Sequence, residues 1–297
     1  MTTGHGAPNP IKSRIANSMG KARILMEALP YIQAFRGRIV VVKYGGSTME
    51  EGGLQASFAG DVTLLAMVGL RPVVVHGGGP QISAAMEKEG ISPQWVDGLR
   101  VTDAAAVRVV QRVLAGEINP DLVRLLNRHG CPAVGLTGLD GGLFTAVAKD
   151  PRLGLVGEVA AVNVELISDL IEDGLVPVIA PLGTGDDGHV YNLNADTVAG
   201  SLARALGAQK LVYLTDVEGV RRVASDPDSV VSRMNLAELE EMLTGGSIEG
   251  GMRPKLISCA EALGGGVAQA HILDGRIQHA LLLEVFTPEG IGTMVTP

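Results

Sequence analysis

Short unbroken apolar runs recur along this chain, with longer helix-like stretches between them. Residues 39–42, 72–75, 176–180 and 211–214 are the clearest runs. Four or five apolar residues without alternation fit a strand buried on both faces, as in a parallel sheet. Helical spacing is read over 53–68, 80–90, 103–129, 163–173, 195–207, 236–243, 255–263 and 277–284. Further strand-like runs lie at 133–136, 143–148, 156–162, 190–193 and 270–273. Such alternation predicts an α/β fold with a mainly parallel sheet covered on both sides. Ligands in such sheets bind beyond the carboxyl ends of strands. Lys43-Tyr44-Gly45-Gly46, His76-Gly77-Gly78-Gly79 and Thr215-Asp216 all fall at those ends.

Composition narrows the function. The chain has 297 residues, 46% of them hydrophobic, enough for a large core in one domain or two lobes. A net charge of -8 and 3% aromatic residues argue against nucleic acid and anionic membrane as partners. Cys131 and Cys259 form no closely spaced metal or redox pair, so a reduced, cytoplasmic protein is expected. Residues 1–10 read as a loose tail without a signal-type apolar segment, and 11–36 as a helix broken or kinked at Pro30.

Two lysines stand beside paired glycines at element edges. Lys43 precedes Gly45-Gly46, and Lys255 follows Gly250-Gly251 and Pro254. Bare amides plus a fixed ammonium suit a polyphosphate. Lys255 in a first helical turn opposes the helix dipole by roughly 0.3–1 kcal/mol, a sign that a bound anion reverses. Gly77-Gly78-Gly79, between a strand and a helix opened by Pro80, is a second anion cradle. Asn194 and Asp196 read locally as an N-cap and a first-turn acid. Gly183–Gly188 matches G-x-G-x-x-G, but a strand follows it rather than a helix, so it reads as a hairpin turn at Asp187-Gly188. The sequence carries no Walker-type lysine loop, and its histidines have no metal-ligand spacing.

From Lys21 to Met294 the chain resembles the amino acid kinase family, and within it the N-acetylglutamate kinases of arginine-sensitive type. The motifs Val-Val-Lys43-Tyr-Gly-Gly, Val-His76-Gly-Gly-Gly-Pro, Gly98-Leu-Arg100-Val-Thr-Asp103, Tyr191-Asn-Leu-Asn-Ala-Asp196, Leu214-Thr-Asp-Val-Glu-Gly219 and Gly250-Gly-Met-Arg-Pro-Lys255 carry that resemblance in register. It implies a three-layer sandwich of carbamate kinase-like fold in two lobes. Residues 1–36 would be an oligomerising tail and helix. Residues 37–195 would bind the acyl amino acid and dimerise, and 196–297 would bind ATP. The implied reaction is phosphorylation of the side-chain carboxylate of N-acetyl-L-glutamate by ATP with Mg2+ on its phosphates, a step of arginine biosynthesis. Lys43, Lys255, Asp196, Gly46 and Gly78 would be catalytic. Gly77, Gly78, Arg100, Asn192 and Asn194 would hold substrate. Lys43, Gly45, Thr215, Asp216, Gly251 and Lys255 would meet the nucleotide, and no metal-ligating side chain is expected.

The resemblance further implies a hexamer, as a trimer of dimers, fed back upon by arginine; a plain dimer is the alternative. Ile11, Ile15 and Met19 would supply an apolar stripe that links dimers. His271, Glu284, Gly290 and Gly292 would line the arginine site. Two departures stand out: Ser47-Thr48 after Gly46, and Glu117 and Pro120 where relatives often carry lysine. A sister kinase acting on carrier-bound or N-acetylated aminoadipate, or a non-catalytic sensor, are the competing readings.

Overall fold

The structure is a computed structural model that describes residues 10–49, 51–223, 225–246, 248, 250–287 and 290–297. The expected tail over residues 1–10 therefore lies almost wholly outside the described residues.

In chain order the elements begin with α1 (Pro10–Phe35), β1 (Ile39–Tyr44), α2 (Gly52–Met67), β2 (Arg71–His76) and α3 (Gly79–Lys88). A small hairpin follows, β3 (Trp95–Val96) and β4 (Leu99–Arg100). Next come α4 (Ala104–Gln111), a π-helical stretch Arg112–Ile118, α5 (Asn119–Arg128), β5 (Ala133–Thr137), β6 (Phe144–Ala148), β7 (Val156–Val162), α6 (Glu165–Glu172) and β8 (Val176–Ala180). The remainder is β9 (Leu182–Gly185), β10 (Val190–Leu193), α7 (Ala195–Ala205), β11 (Lys210–Thr215), β12 (Arg233–Asn235), α8 (Leu236–Thr244), α9 (Met252–Gly264), β13 (Gln269–Asp274), α10 (Ala280–Phe286) and β14 (Thr293–Thr296).

Eight strands form one central sheet in the order β12-β14-β13-β11-β1-β2-β8-β5. Among the described residues, only β13 and β14 pair antiparallel within it. The sheet runs without a break across the expected lobe boundary, which falls at the start of α7. Strand alternation explains the unbroken apolar runs. Val41, Val73 and Val75 face the core shared with α7 and α9, while Val40, Val42 and Val74 face the core shared with α2, α5 and α10. Both faces are therefore dry, and the three-layer architecture follows.

Four features depart from the sequence reading. Helix α1 continues through Pro30, so of the break or kink expected there the break does not occur. The carbonyl one turn earlier belongs to Met26, which is 64% exposed, so water can take the place of the lost N–H. The single helix expected over 103–129 holds a π-helical stretch, which no spacing rule announces. β6, β7, β9 and β10 close into a small barrel of mixed pairing, with the expected turn at Asp187-Gly188 joining its last two strands. The β3–β4 hairpin was not expected either.

Candidate active site

Lys43 lies two residues on from Val41 in β1 and so points to the α7 face of the sheet. Asp196 is the second residue of α7, whose start is fixed by Asn194: its Oδ1 accepts the N–H groups of Asp196 at 2.9 Å and Thr197 at 3.1 Å. Lys255 stands in the first turn of α9 and donates from Nζ to Asp196 Oδ2 at 2.7 Å. Lys43 Nζ lies 3.1 Å from the other oxygen, Oδ1, as an ion pair in which charge is the larger contribution. Lys43 and Asp196 are only 8% and 6% exposed. Burial pushes the Asp196 carboxyl up, but the charges of Lys43 and Lys255 outweigh it and hold the group below its usual value. Two ammoniums around one ionised carboxylate leave a surplus of one positive charge in the cluster.

The chain sets this spacing by packing. A Cβ on Gly200 would sit 2.0 Å from Ser258 Oγ, so only glycine lets α7 and α9 approach this closely. Ser258 Oγ donates to the Asp196 carbonyl at 2.9 Å, and Tyr213 OH reaches Ser258 Oγ at 2.8 Å. At Gly45 a Cβ would lie 2.7 Å from Lys43 Nζ, which folds over that glycine.

The glycine loop after β2 is held from behind. His76 is fully buried, and burial pushes its pKa down to about 4, so it is neutral. Its Nδ1–H donates to Gly77 O at 2.9 Å, and its Nε2 accepts from Asn119 Nδ2 at 3.1 Å. Gly77 N–H donates to Tyr44 O at 2.8 Å. Both backbone groups of Gly77 are thus engaged, which shifts the ligand-facing task to Gly78 at the N-cap of α3, where helix amides point outward.

A cavity of about 280 Å³ joins these parts; Lys43, Gly46, Gly77, Gly78, Arg100 and Asn192 line it, as do Asn194 and Asp196. Arg100 is 6% exposed and donates from Nη2 to Gly79 O at 2.9 Å and Ser83 Oγ at 2.8 Å. Asn192 Nδ2 donates to Thr102 Oγ1 at 3.3 Å. Thr215, Asp216 and Gly251 do not line this cavity; they stand where β11 ends and α9 opens, with the Thr215 hydroxyl bonded to Val217 O at 3.0 Å. Among the described residues no group of three His, Cys, Asp or Glu is placed to hold a metal ion.

A second cavity, of about 270 Å³, lies against α1, β11, β13 and α10. His271, Glu284 and Gly290 line it, together with Tyr31, Phe35 and Lys210, which the sequence reading did not single out. Gly292 does not line it: a Cβ there would sit 2.2 Å from Ile272 O, so its smallness serves strand packing. Lys210 Nζ contacts Gln269 Oε1 at 2.6 Å, His271 Nε2 at 3.2 Å and the face of Phe35 at 4.7 Å. His271 Nδ1 lies 2.6 Å from Glu284 Oε1. Burial lowers the Lys210 pKa to about 8, with Glu284 pulling the other way. Burial, aided by the Lys210 charge, also lowers His271 and keeps it neutral, so it accepts from Lys210 and donates to an ionised Glu284. A lysine opening an apolar strand looks the same in sequence whether solvated or buried, which is why Lys210 escaped notice.

A parallel sheet with a glycine loop, two lysines and one carboxylate at its strand ends defines a phosphoryl-transfer enzyme of the amino acid kinase type. The amino acid kinase family model matches residues 38–274, and the chain belongs to that family. It is 53% identical over 288 residues to the acetylglutamate kinase of Acidothermus cellulolyticus, covering 93% of this chain and 97% of that one. It is 50% identical to the acetylglutamate kinase of Symbiobacterium thermophilum, covering 94% and 98%. Among solved structures it is similar to the N-acetylglutamate synthase of Neisseria gonorrhoeae bound to coenzyme A and N-acetyl-glutamate, with TM-score 0.82 and 28% identity. That match covers 93% of this chain but 63% of the longer synthase. The same synthase is also known with coenzyme A and L-arginine, at TM-score 0.77.

Proposed function

We propose that this chain transfers the γ-phosphoryl group of ATP to the side-chain carboxylate of N-acetyl-L-glutamate, within arginine biosynthesis. The observation that carries the reading is Asp196 held between Lys43 and Lys255 beside the Gly78 loop, in a cavity that also holds Arg100. The substrate carboxylate is already ionised at neutral pH, so no general base is needed. Its oxygen forms the new P–O bond while the bond to ADP breaks, giving N-acetyl-L-glutamyl 5-phosphate and ADP. The obstacle is one anion meeting a polyanion, and the protein answers with position and charge. Lys43 and Lys255 lie to either side of the transferred group, with Lys255 toward ADP. Asp196 keeps both ammoniums in place, and Gly46 and Gly78 supply amides. Gly77, Arg100, Asn192 and Asn194 frame the acyl amino acid. Gly45, Thr215, Asp216 and Gly251 frame the nucleotide. Asp196 is already committed to two lysines, so Mg2+ is assigned to phosphate oxygens and water, where it neutralises nucleotide charge. ADP release measured with N-acetyl-L-glutamate, N-acetyl-L-aminoadipate and free glutamate tests the reading; turnover confined to the second compound, or absent from all three, would overturn it.

We assign the second cavity to arginine as a feedback inhibitor, on the strength of its buried Glu284 and of the arginine-bound synthase of the same fold. Helix α1 exposes Ile11, Met19 and Leu25 at 64%, 66% and 70%, which supports its burial against another copy in a hexamer; the side chain of Ile15 is outside the described residues. Sedimentation and arginine titration after deletion of residues 1–20 check this. Dimers with blunted inhibition are expected, and a full-length dimer indifferent to arginine would refute it.

A further inference from the structure

Trp95 is the only tryptophan of the chain, yet it stands 54% exposed on β3, on the wall of the first cavity. Its ring centroid is 4.5 Å from Arg100 Cζ. The two residues are cross-strand partners in the β3–β4 hairpin. The hairpin turns on Asp97 at φ 51 and Gly98 at φ 76, the left-handed pair that a two-residue turn requires. It is tied down by Val101 N–H to Gln94 O at 2.9 Å and by Arg152 Nη2 to Asp97 Oδ2 at 3.4 Å. The guanidinium is therefore gripped in its plane by Gly79 and Ser83 of α3 and covered on one face by the indole. Tryptophan offers the best aromatic face for a cation, and covering that face removes competing water.

We propose that Trp95 is a positioning residue for the acyl amino acid, acting through Arg100. The indole fixes the guanidinium plane and keeps it dry, so that the fork meets a substrate carboxylate in one orientation. This deepens the proposed function and rests on it. A ring that merely rested on the surface would neither sense substrate nor affect its binding.

The full-length protein supplies its own probe, because its tryptophan emission comes from Trp95 alone. Emission should change on titration with N-acetyl-L-glutamate, with a midpoint near KM. Trp95→Leu keeps apolar bulk without the π face and should raise KM for N-acetyl-L-glutamate about 10-fold, with kcat and the KM for ATP within about 2-fold. Trp95→Phe should recover most of that loss. Wild-type turnover, measured separately, carries the functional reading. A fully active wild type whose emission ignores N-acetyl-L-glutamate overturns the Trp95 assignment alone. So does a Trp95→Leu variant with unchanged KM, or one indistinguishable from Trp95→Phe.

Discussion

The two cavities carry similar residues arranged to opposite ends. In the first, one carboxylate sits between two lysines, and Asp196 is held below its usual pKa. In the second, the carboxylate of Glu284 is reached from a lysine through a neutral histidine, and burial lowers the pKa of both the lysine and the histidine. Asp196 stays ionised between its two lysines, so the first arrangement is an electrostatic frame. The second contains Lys210 with a pKa of about 8, so its charge responds to small changes in surroundings. The difference lies in where the carboxylate stands. Placed between two ammoniums, it stabilises both. Placed at the end of a relay, it cannot fully offset the burial of the far lysine.

The largest test of that contrast is loss of a lysine from the first cluster. Lys43→Ala and Lys255→Ala should each lower kcat by ~10²–10³, equivalent to ~2.7–4 kcal/mol, with the fold intact by circular dichroism. Near-normal turnover in either variant would break the comparison, because the frame would then be ornamental.

Stability against pH separates a neutral buried histidine from the charged frame. His76 has a folded pKa of about 4, below its unfolded value of about 6.5. Below about pH 6.5 the unfolded chain binds a proton that the folded protein refuses, so stability falls with pH across pH 6.5 to 4, by roughly 3 kcal/mol in total. The depressed Asp196 works in the same direction only at lower pH: its contribution is present above about pH 4 and lost as pH falls through its still lower folded value. Denaturant melts of wild type and His76→Gln across pH 4–7 read the first window. A wild-type curve flat over that range would sink the assignment of a neutral His76.

Glu284→Gln should disable the second cluster alone. The half-inhibitory arginine concentration is expected to rise at least ~10-fold, about 1.4 kcal/mol, with kcat within about 2-fold. A matching fall in kcat would mean that the two cavities are not separable. The smallest effect is a titration shift. By lysine-selective NMR, Lys210 should titrate near pH 8, and Glu284→Gln should move that midpoint down, because the carboxylate is what raises it. An unmoved midpoint would remove Glu284 from the relay.

Much of this was legible in one dimension. Strand runs at 39–42, 72–75 and 211–214 announced a sheet buried on both faces because every second side chain meets a separate core. Lys43, Lys255 and Asp196 were marked by their motifs, and the structure brings them within 3.1 Å. The four-stranded barrel and the π-helical stretch were not legible, since both depend on pairing and insertion rather than on local period. Gly292 was marked for the arginine site, and the structure packs it against Ile272 O; a glycine needed for close packing and one needed for a ligand look alike in sequence.

The sequence by itself determined the kind of sheet, the strand ends that bear the glycine loops, and the family chemistry that those motifs carry. Its periodicities are local, and a period of two or of 3.6 residues decides which way each side chain faces. Tertiary structure alone decided which charges meet. Asp196 joins Lys255 because Gly200 lets α7 and α9 approach, and Lys210 joins Glu284 because β11, β13 and α10 converge. Electrostatic pairing depends on distances of a few ångströms between residues far apart in the chain, and only packing sets those.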